Sequence, residues 1–445
     1  MTSSNNSRRQ FLRNTAAASA APFVLSLNAE DAAAQAAPEY RALVCVSLGG
    51  GNDHLSTVVP FDTTSYNAYK NKRAGLALDR STLLPITAAS AQGGRTVGFS
   101  PNLTGLKSIY DAGRCAVVAG VGTLLEPTTL AKINNGTASL PPLLGSHADQ
   151  GNFWFSLGTQ NPYGWGGRMG DFVAASNGSR SNFTTISANG GFTQFLVGNT
   201  TNFFTAGDGG APRLFFGGDP LEQAIIGPTQ RSNLLEQAYT QVHQSLLKGA
   251  TDLGTAILPE NTFPAPPGGG RNPLANQLLT VARIIGGRNA LGLKRQIFFV
   301  DLGGFDTHAG QLNKHPGLMT MLNDALSYFD SLMVQINTSN NVTLFTQSEF
   351  GRTYNFNGDG TDHAWGTHTF VMGGAVKGGN IYGTLPNMEP NSPDFRSDGQ
   401  MIPTISVEQY GATLAKWMGI SSADINTVFP NLSRFNTSDL GFMKP

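Results

Sequence analysis

Three apolar runs of strand length, LVCVSL (residues 43–48), IFFVDL (297–302) and VTLFTQ (342–347), each lead directly into a glycine-containing loop with Asp, Glu or His. Near-continuous apolar character is what a strand buried on both faces requires. Such strands belong to parallel sheets, whose ligands bind in the crevice outside the carboxyl ends. The loops GGGNDH (49–54), GGFDTH (303–308) and SEFGRTYNFNGDGTDHAWGTH (348–368) therefore place acidic and imidazole groups where chemistry is expected. The fold class this predicts is α/β.

Helix and strand signals alternate through the rest of the chain. Apolar spacing and a stop at Gly113 predict a helix over 103–110, followed by a second buried strand from Cys115. A further helix is expected to start within 165–173, and others over 221–247, after Pro273 and over 315–333. In the last of these, Asp324 and Asp330 read as solvent-facing and His315 as a surface residue, while His243 reads as a helix-face residue. Short Phe-, Thr-, Gly- and Asn-rich runs over 176–220 predict a β-rich insertion. A mixed cap over 176–272 would then interrupt one domain spanning 37–445, its end marked by the linker FPAPPGGGRN (263–272), where Pro and Gly together exclude regular structure. Cys45 and Cys115 lie in strand-like runs and read as buried thiols. A disulfide is open to them only if those strands are neighbours in an oxidising compartment.

Charge excludes one class of partner. Lys+Arg and Asp+Glu are equal at 29 each with no long block of either sign, so there is no electrostatic footprint for nucleic acid. The sequence SRRQFLR (7–13), an Ala-rich apolar run over 15–27 and small residues at Ala34 and Ala36 form the pattern of a twin-arginine export signal, cleaved after Ala36. The apolar run is shorter than the roughly 20 residues of a spanning helix, so a periplasmic or extracellular protein without a membrane span is expected.

The loop residues allow competing readings. Asp53 either caps a turn or serves a site at the sheet edge. Ser146 and His147 are adjacent, but triad members usually come from distant positions, so Ser146 reads better as a hydroxyl presented to a cation than as half of a Ser–His pair. Asp306 and His308 suit either a turn or a shared cation. Glu349 and Arg352 suit an ion pair, or Arg352 grips an anion with its planar guanidinium. Asp362, His363 and His368 stand within seven positions and would be costly to bury without a cation or hydrogen-bond partners.

The segments LGGGNDHL, GSHADQ, GGFDTH, SEFGRT, TDHAWGTH, FVMGGAVKGGNIYG and VEQYGATLAKWMGI, together with SRRQFLR, resemble the DUF1501 family of exported bacterial proteins over nearly the whole chain after the signal. The resemblance implies membership of the alkaline phosphatase/sulfatase superfamily, with a central, mostly parallel sheet and helices on both faces. It implies two divalent metal ions and hydrolysis of a small-molecule or polymer-borne phosphate or sulfate ester. Carried over by position, Asp53, Asp362 and His363 would hold one metal beside Ser146 as nucleophile, and Asp306, His308 and His368 the second, with Arg352 as anion binder. The family spacing differs at one place, because superfamily members commonly separate the second metal's Asp and His by three residues and this chain separates them by one. Relatives often carry an aromatic where this chain has Ala148, and no Cys stands at the nucleophile position that the resemblance implies, which argues against a formylglycine enzyme of the cysteine type. A non-catalytic binding protein on the same scaffold, working with a second exported protein, is the alternative.

Overall fold

Strand β1 (Arg41–Leu48) shows how the sheet is covered on both sides. Its residues alternate between two cores: Val44, Val46 and Leu48 pack with the helices Pro273–Gly286 and Gln311–Gln335, while Leu43 and Cys45 pack with Trp165–Val173 and Val407–Met418. Burial on both faces is the reason for the near-continuous apolar run. The computed structural model describes residues 39–158, 162–207 and 233–445. The export signal expected over 1–36 lies outside the described residues.

Twelve strands are described, β1 followed by β2 (Val58–Pro60), β3 (Leu84–Ile86), β4 (Val97–Phe99), β5 (Cys115–Gly122), β6 (Thr185–Ser187), β7 (Phe204–Thr205), β8 (Arg295–Leu302), β9 (Val342–Gln347), β10 (Thr367–Met372), β11 (Asn380–Tyr382) and β12 (Ile405–Ser406). The main sheet has the order β11-β5-β10-β9-β1-β8-β6-β7, with β12 also on β5. The pairs of β1 with β8 and β9, β6 with β8 and β7, and β5 with β11 and β12 are parallel, and among the described strands of this sheet β10 alone runs against its neighbours. The sheet is therefore mostly parallel with helices on both faces. Strands β2, β4 and β3 form a small antiparallel sheet.

Several expectations change. Strands β6 and β7, expected in a cap, extend the main sheet beside β8. Of the expected 221–247 helix, the described part belongs to Leu234–Ala256. The linker region holds a short 3-10 turn, Gly269–Arg271, before Asn272 caps the Pro273 helix. His315 is buried against Asn52, not at the surface, because the Gln311–Gln335 helix turns this side chain toward the β1 loop. Asp330 pairs with Arg114 at 2.7 Å. Cys45 and Cys115 are free buried thiols that belong to cores on opposite faces. Among the described residues, no helix is long and apolar enough to cross a membrane.

Candidate metal centre

The three loops predicted to carry chemistry meet at the carboxyl ends of β1, β8 and β9, which are adjacent in the sheet. Their approach is close enough to require glycine. A Cβ at Gly50 (φ +115°) would lie 2.3 Å from Asp306 N, and one at Gly360 would lie 2.1 Å from Thr307 O. Arg352 locks the junction from inside. Wholly buried, it donates from Nε to Gly51 O (3.0 Å), from Nη1 to Thr361 O (3.1 Å), and from Nη2 to Gly50 O and Asp306 Oδ1. These bonds correct the expectation of an anion-gripping Arg352, because its fork is already engaged by backbone carbonyls and a carboxylate.

Asp306 lies at the centre of a cluster of imidazoles. Burial raises its pKa, but the bonds and charge of Arg352 outweigh this and hold it at about 2, so it is ionised at neutral pH. Three histidine rings surround it, with Nε2 of His308, His363 and His147 at 3.2, 3.3 and 3.5 Å from its oxygens. Each ring is pinned through its other nitrogen. His147 Nδ1 faces Glu349 Oε1 at 2.9 Å, His308 Nδ1 faces Asp362 Oδ1 at 3.0 Å, and His363 Nδ1 faces Gly145 O at 2.5 Å. Carboxylate and carbonyl oxygens only accept, so the proton of each neutral ring belongs on Nδ1 and the Nε2 lone pairs point inward. Burial lowers the pKa of His363, which favours the neutral ring there.

This arrangement lacks hydrogen-bond complementarity unless a positive charge is added. His147 Nε2 is buried without a hydrogen-bond partner among the described residues, and His308 Nε2 lies 2.8 Å from His363 Nε2, lone pair against lone pair. A divalent cation fits the donor set. Bonds of roughly 2.0–2.1 Å in a tetrahedral site put ligand atoms about 3.3 Å apart, close to the 3.2 and 3.3 Å from Asp306 Oδ1 to His308 and His363 and the 3.5 Å from Oδ2 to His147, while the 2.8 Å between His308 and His363 is shorter. Acceptors on the outer nitrogens are what metal-ligating histidines commonly use to fix their orientation. Among the described residues, His147, Asp306 and His363 form the set whose ligand atoms all lie within 4.8 Å of one another; His308 is outside that set and reaches the centre through Asp306 and His363.

Other expected site residues lie elsewhere. Asp53 is buried in a two-pronged ion pair with Arg73, receives Gln311 Nε2, and so has its carboxylate occupied by protein donors. His368 lies in β10, where its Nδ1 accepts from Gly120 N at 3.2 Å and its ring sits edge-on to His54. Both depart from the ligand sets the resemblance implied. The cause is a local arginine for Asp53 and a strand position for His368. Asp362 contacts the centre through His308. Ser146 is the N-cap of the helix His147–Ser156, its hydroxyl accepting from Asp149 N and donating to Asp149 Oδ2. His147 and Glu349 were not recognised as a pair in the sequence, where only Ser146 next to His147 and Glu349 next to Arg352 were visible; among the described residues no ion pair joins Glu349 to Arg352.

Residues 230–428 match the family model described as "Protein of unknown function (DUF1501)". The chain carries a DUF1501 region. That region contains Asp306, His308, Glu349, Arg352, Asp362 and His363, while Asp53, Ser146 and His147 precede it. No curated protein matches the sequence. The soluble domain of lipooligosaccharide phosphoethanolamine transferase A from Neisseria meningitidis is similar at 10% identity over 92% of this chain and 94% of that one, with a TM-score of 0.36. The PsFucS1 sulfatase from Pseudoalteromonas sp. is similar at 10% identity over 92% and 74%, with a TM-score of 0.36. The alkaline phosphatase of the Antarctic bacterium TAB5 is similar at 11% identity over 76% and 93%, with a TM-score of 0.25. The architecture of this protein rests on its own strand order.

Proposed function

We propose that this DUF1501 protein is an exported hydrolase of phosphate or sulfate esters that depends on one divalent cation held by His147, Asp306, His308 and His363. The observation that carries the reading is the inward convergence of the Nε2 atoms on an ionised Asp306, with every Nδ1 fixed from outside. When bound, the cation supplies Lewis acidity and charge neutralisation to an anionic ester. An Asp-and-His donor set suits zinc, manganese or iron. One cation replaces the expected pair because Asp53 and His368 do not join the cluster. Glu349 and Asp362 hold the rings in place. Ser146 is the nucleophile in this reading, with Asp149 positioned to accept the proton its hydroxyl already shares.

A second reading has its own support. Ser146 and Asp149 also satisfy each other as a helix cap, and Arg352 is engaged internally, which suits a binding scaffold that holds a cation without turnover and works with a second exported protein. Metal analysis of purified protein tests the shared premise. About one equivalent of cation in wild type and Ser146→Ala, lost in His363→Ala, supports the centre; no cation in the folded wild-type protein would sink both readings. Turnover of p-nitrophenyl phosphate or sulfate that disappears in Ser146→Ala favours the hydrolase, and unchanged turnover removes Ser146 as nucleophile.

A further inference from the structure

A cavity of about 430 Å³ opens beside the metal centre and shares His147 with it. It lies at the ends of β1 and β8, and its volume is within the roughly 300–1,000 Å³ common for small-molecule sites. Its chemistry is selective. Apart from His147, the ionisable group on its wall among the described residues is Asp301, whose Oδ1 accepts from Asn189 Nδ2 at 2.7 Å. No Lys or Arg among the described residues lines it, so a second anionic group would meet only a carboxylate. A lipid chain would set an apolar surface against the polar amides of Asn152 and Asn189, of which Asn189 is held by Asp301 and Ser187. Asn152 Oδ1 accepts from Ser156 Oγ at 2.9 Å, which fixes the amide and leaves its NH2 for a ligand. Above these amides stands Phe192, 77% exposed and braced by an edge contact to Phe203. One open aromatic face with fixed amides fits a ring that has an apolar C–H face and a rim of hydroxyls.

We infer that this cavity seats an uncharged saccharide ring, the alcohol half of the ester; the ester linkage rests on the hydrolase reading, while the saccharide site does not. Phe192 stacks on the ring, Asn152 donates to a hydroxyl, and His147 marks where the ring's ester substituent would enter the metal centre.

Calorimetric or NMR titration with neutral methyl glycosides (galactoside, glucoside, mannoside and fucoside), and with uridine as a base-bearing competitor, tests this on the full chain. At least one glycoside should bind wild type, and Phe192→Ala should weaken it about tenfold or more. Because Phe192 is exposed, its loss leaves the core intact. No glycoside bound by wild type, equal binding by Phe192→Ala, or uridine bound in place of every glycoside overturns the site. Glycoside binding without any cation in wild type sinks the hydrolase reading and leaves this site standing; cation without glycoside binding does the reverse.

Discussion

Replacing Asp53 with asparagine separates its two roles, ligand or ion-pair partner, by their energetics. Asp53 and Arg73 are both wholly buried, joined by Nη1 to Oδ2 at 2.5 Å and Nη2 to Oδ1 at 2.8 Å. Burial pushes the Asp53 pKa up, but Arg73 reverses that and holds it well below the usual carboxylate range. In Asp53→Asn the amide would have one acceptor oxygen for the donors now on two, and would leave the guanidinium without its counter-charge. Breaking a buried pair from one side costs about 3–5 kcal/mol. The assay is the urea midpoint at pH 7 together with cation content. The midpoint should fall substantially while cation content stays at the wild-type level, and Asp53→Leu with Arg73→Met together should recover most of the loss, since an apolar replacement of both partners is often neutral. A wild-type midpoint with lost cation would make Asp53 a ligand and refute the argument. The pH sign follows from the lowered pKa: the pair's stabilisation is present above the unfolded value near pH 3.9 and is lost as pH falls through the folded one.

Three further outcomes are expected. Glu349→Gln, which weakens the acceptor behind His147, should reduce cation affinity about 10–100-fold with little change in the urea midpoint, read by competition with a chelator. His368, whose pKa burial lowers to about 4, should show a ring NMR titration midpoint near that value; a midpoint near 6.5 would mean its strand site is open to water. Glu408 has its pKa raised to about 7 by burial, against the opposing bond from Asn431. The folded state then binds more protons than the unfolded between pH 4.5 and about 7, so stability should fall as pH rises through that window, by up to about 3 kcal/mol; Glu408→Gln should flatten that slope in urea midpoints, and an unchanged slope would refute it.

The parts of this fold that were legible are those where local pattern and tertiary role agree. Strand β9 was predicted to the residue, because it is apolar on both faces, and the helix Trp165–Val173 was predicted at its start. The 176–220 region misled because strands as short as β6 and β7 look the same at a sheet edge and in a separate cap. In the site, Asp306 with His308 and Asp362 with His363 were readable as two separate ligand pairs, since glycine-bounded loops after buried strands bring such residues to one edge. Their individual roles were not readable.

The sequence by itself determined the α/β class, the edge of the sheet where polar groups gather, and most of the loops that supply them, because those follow from short-range periodicity and turn chemistry. Only the tertiary structure decided which carboxylate meets which cation or imidazole. Arg73 stands 20 residues from Asp53, Glu349 stands 202 from His147, and Arg352 stands 46 from Asp306. Partner choice between side chains so far apart depends on how three loops cross within a few ångström, and no local pattern encodes that distance.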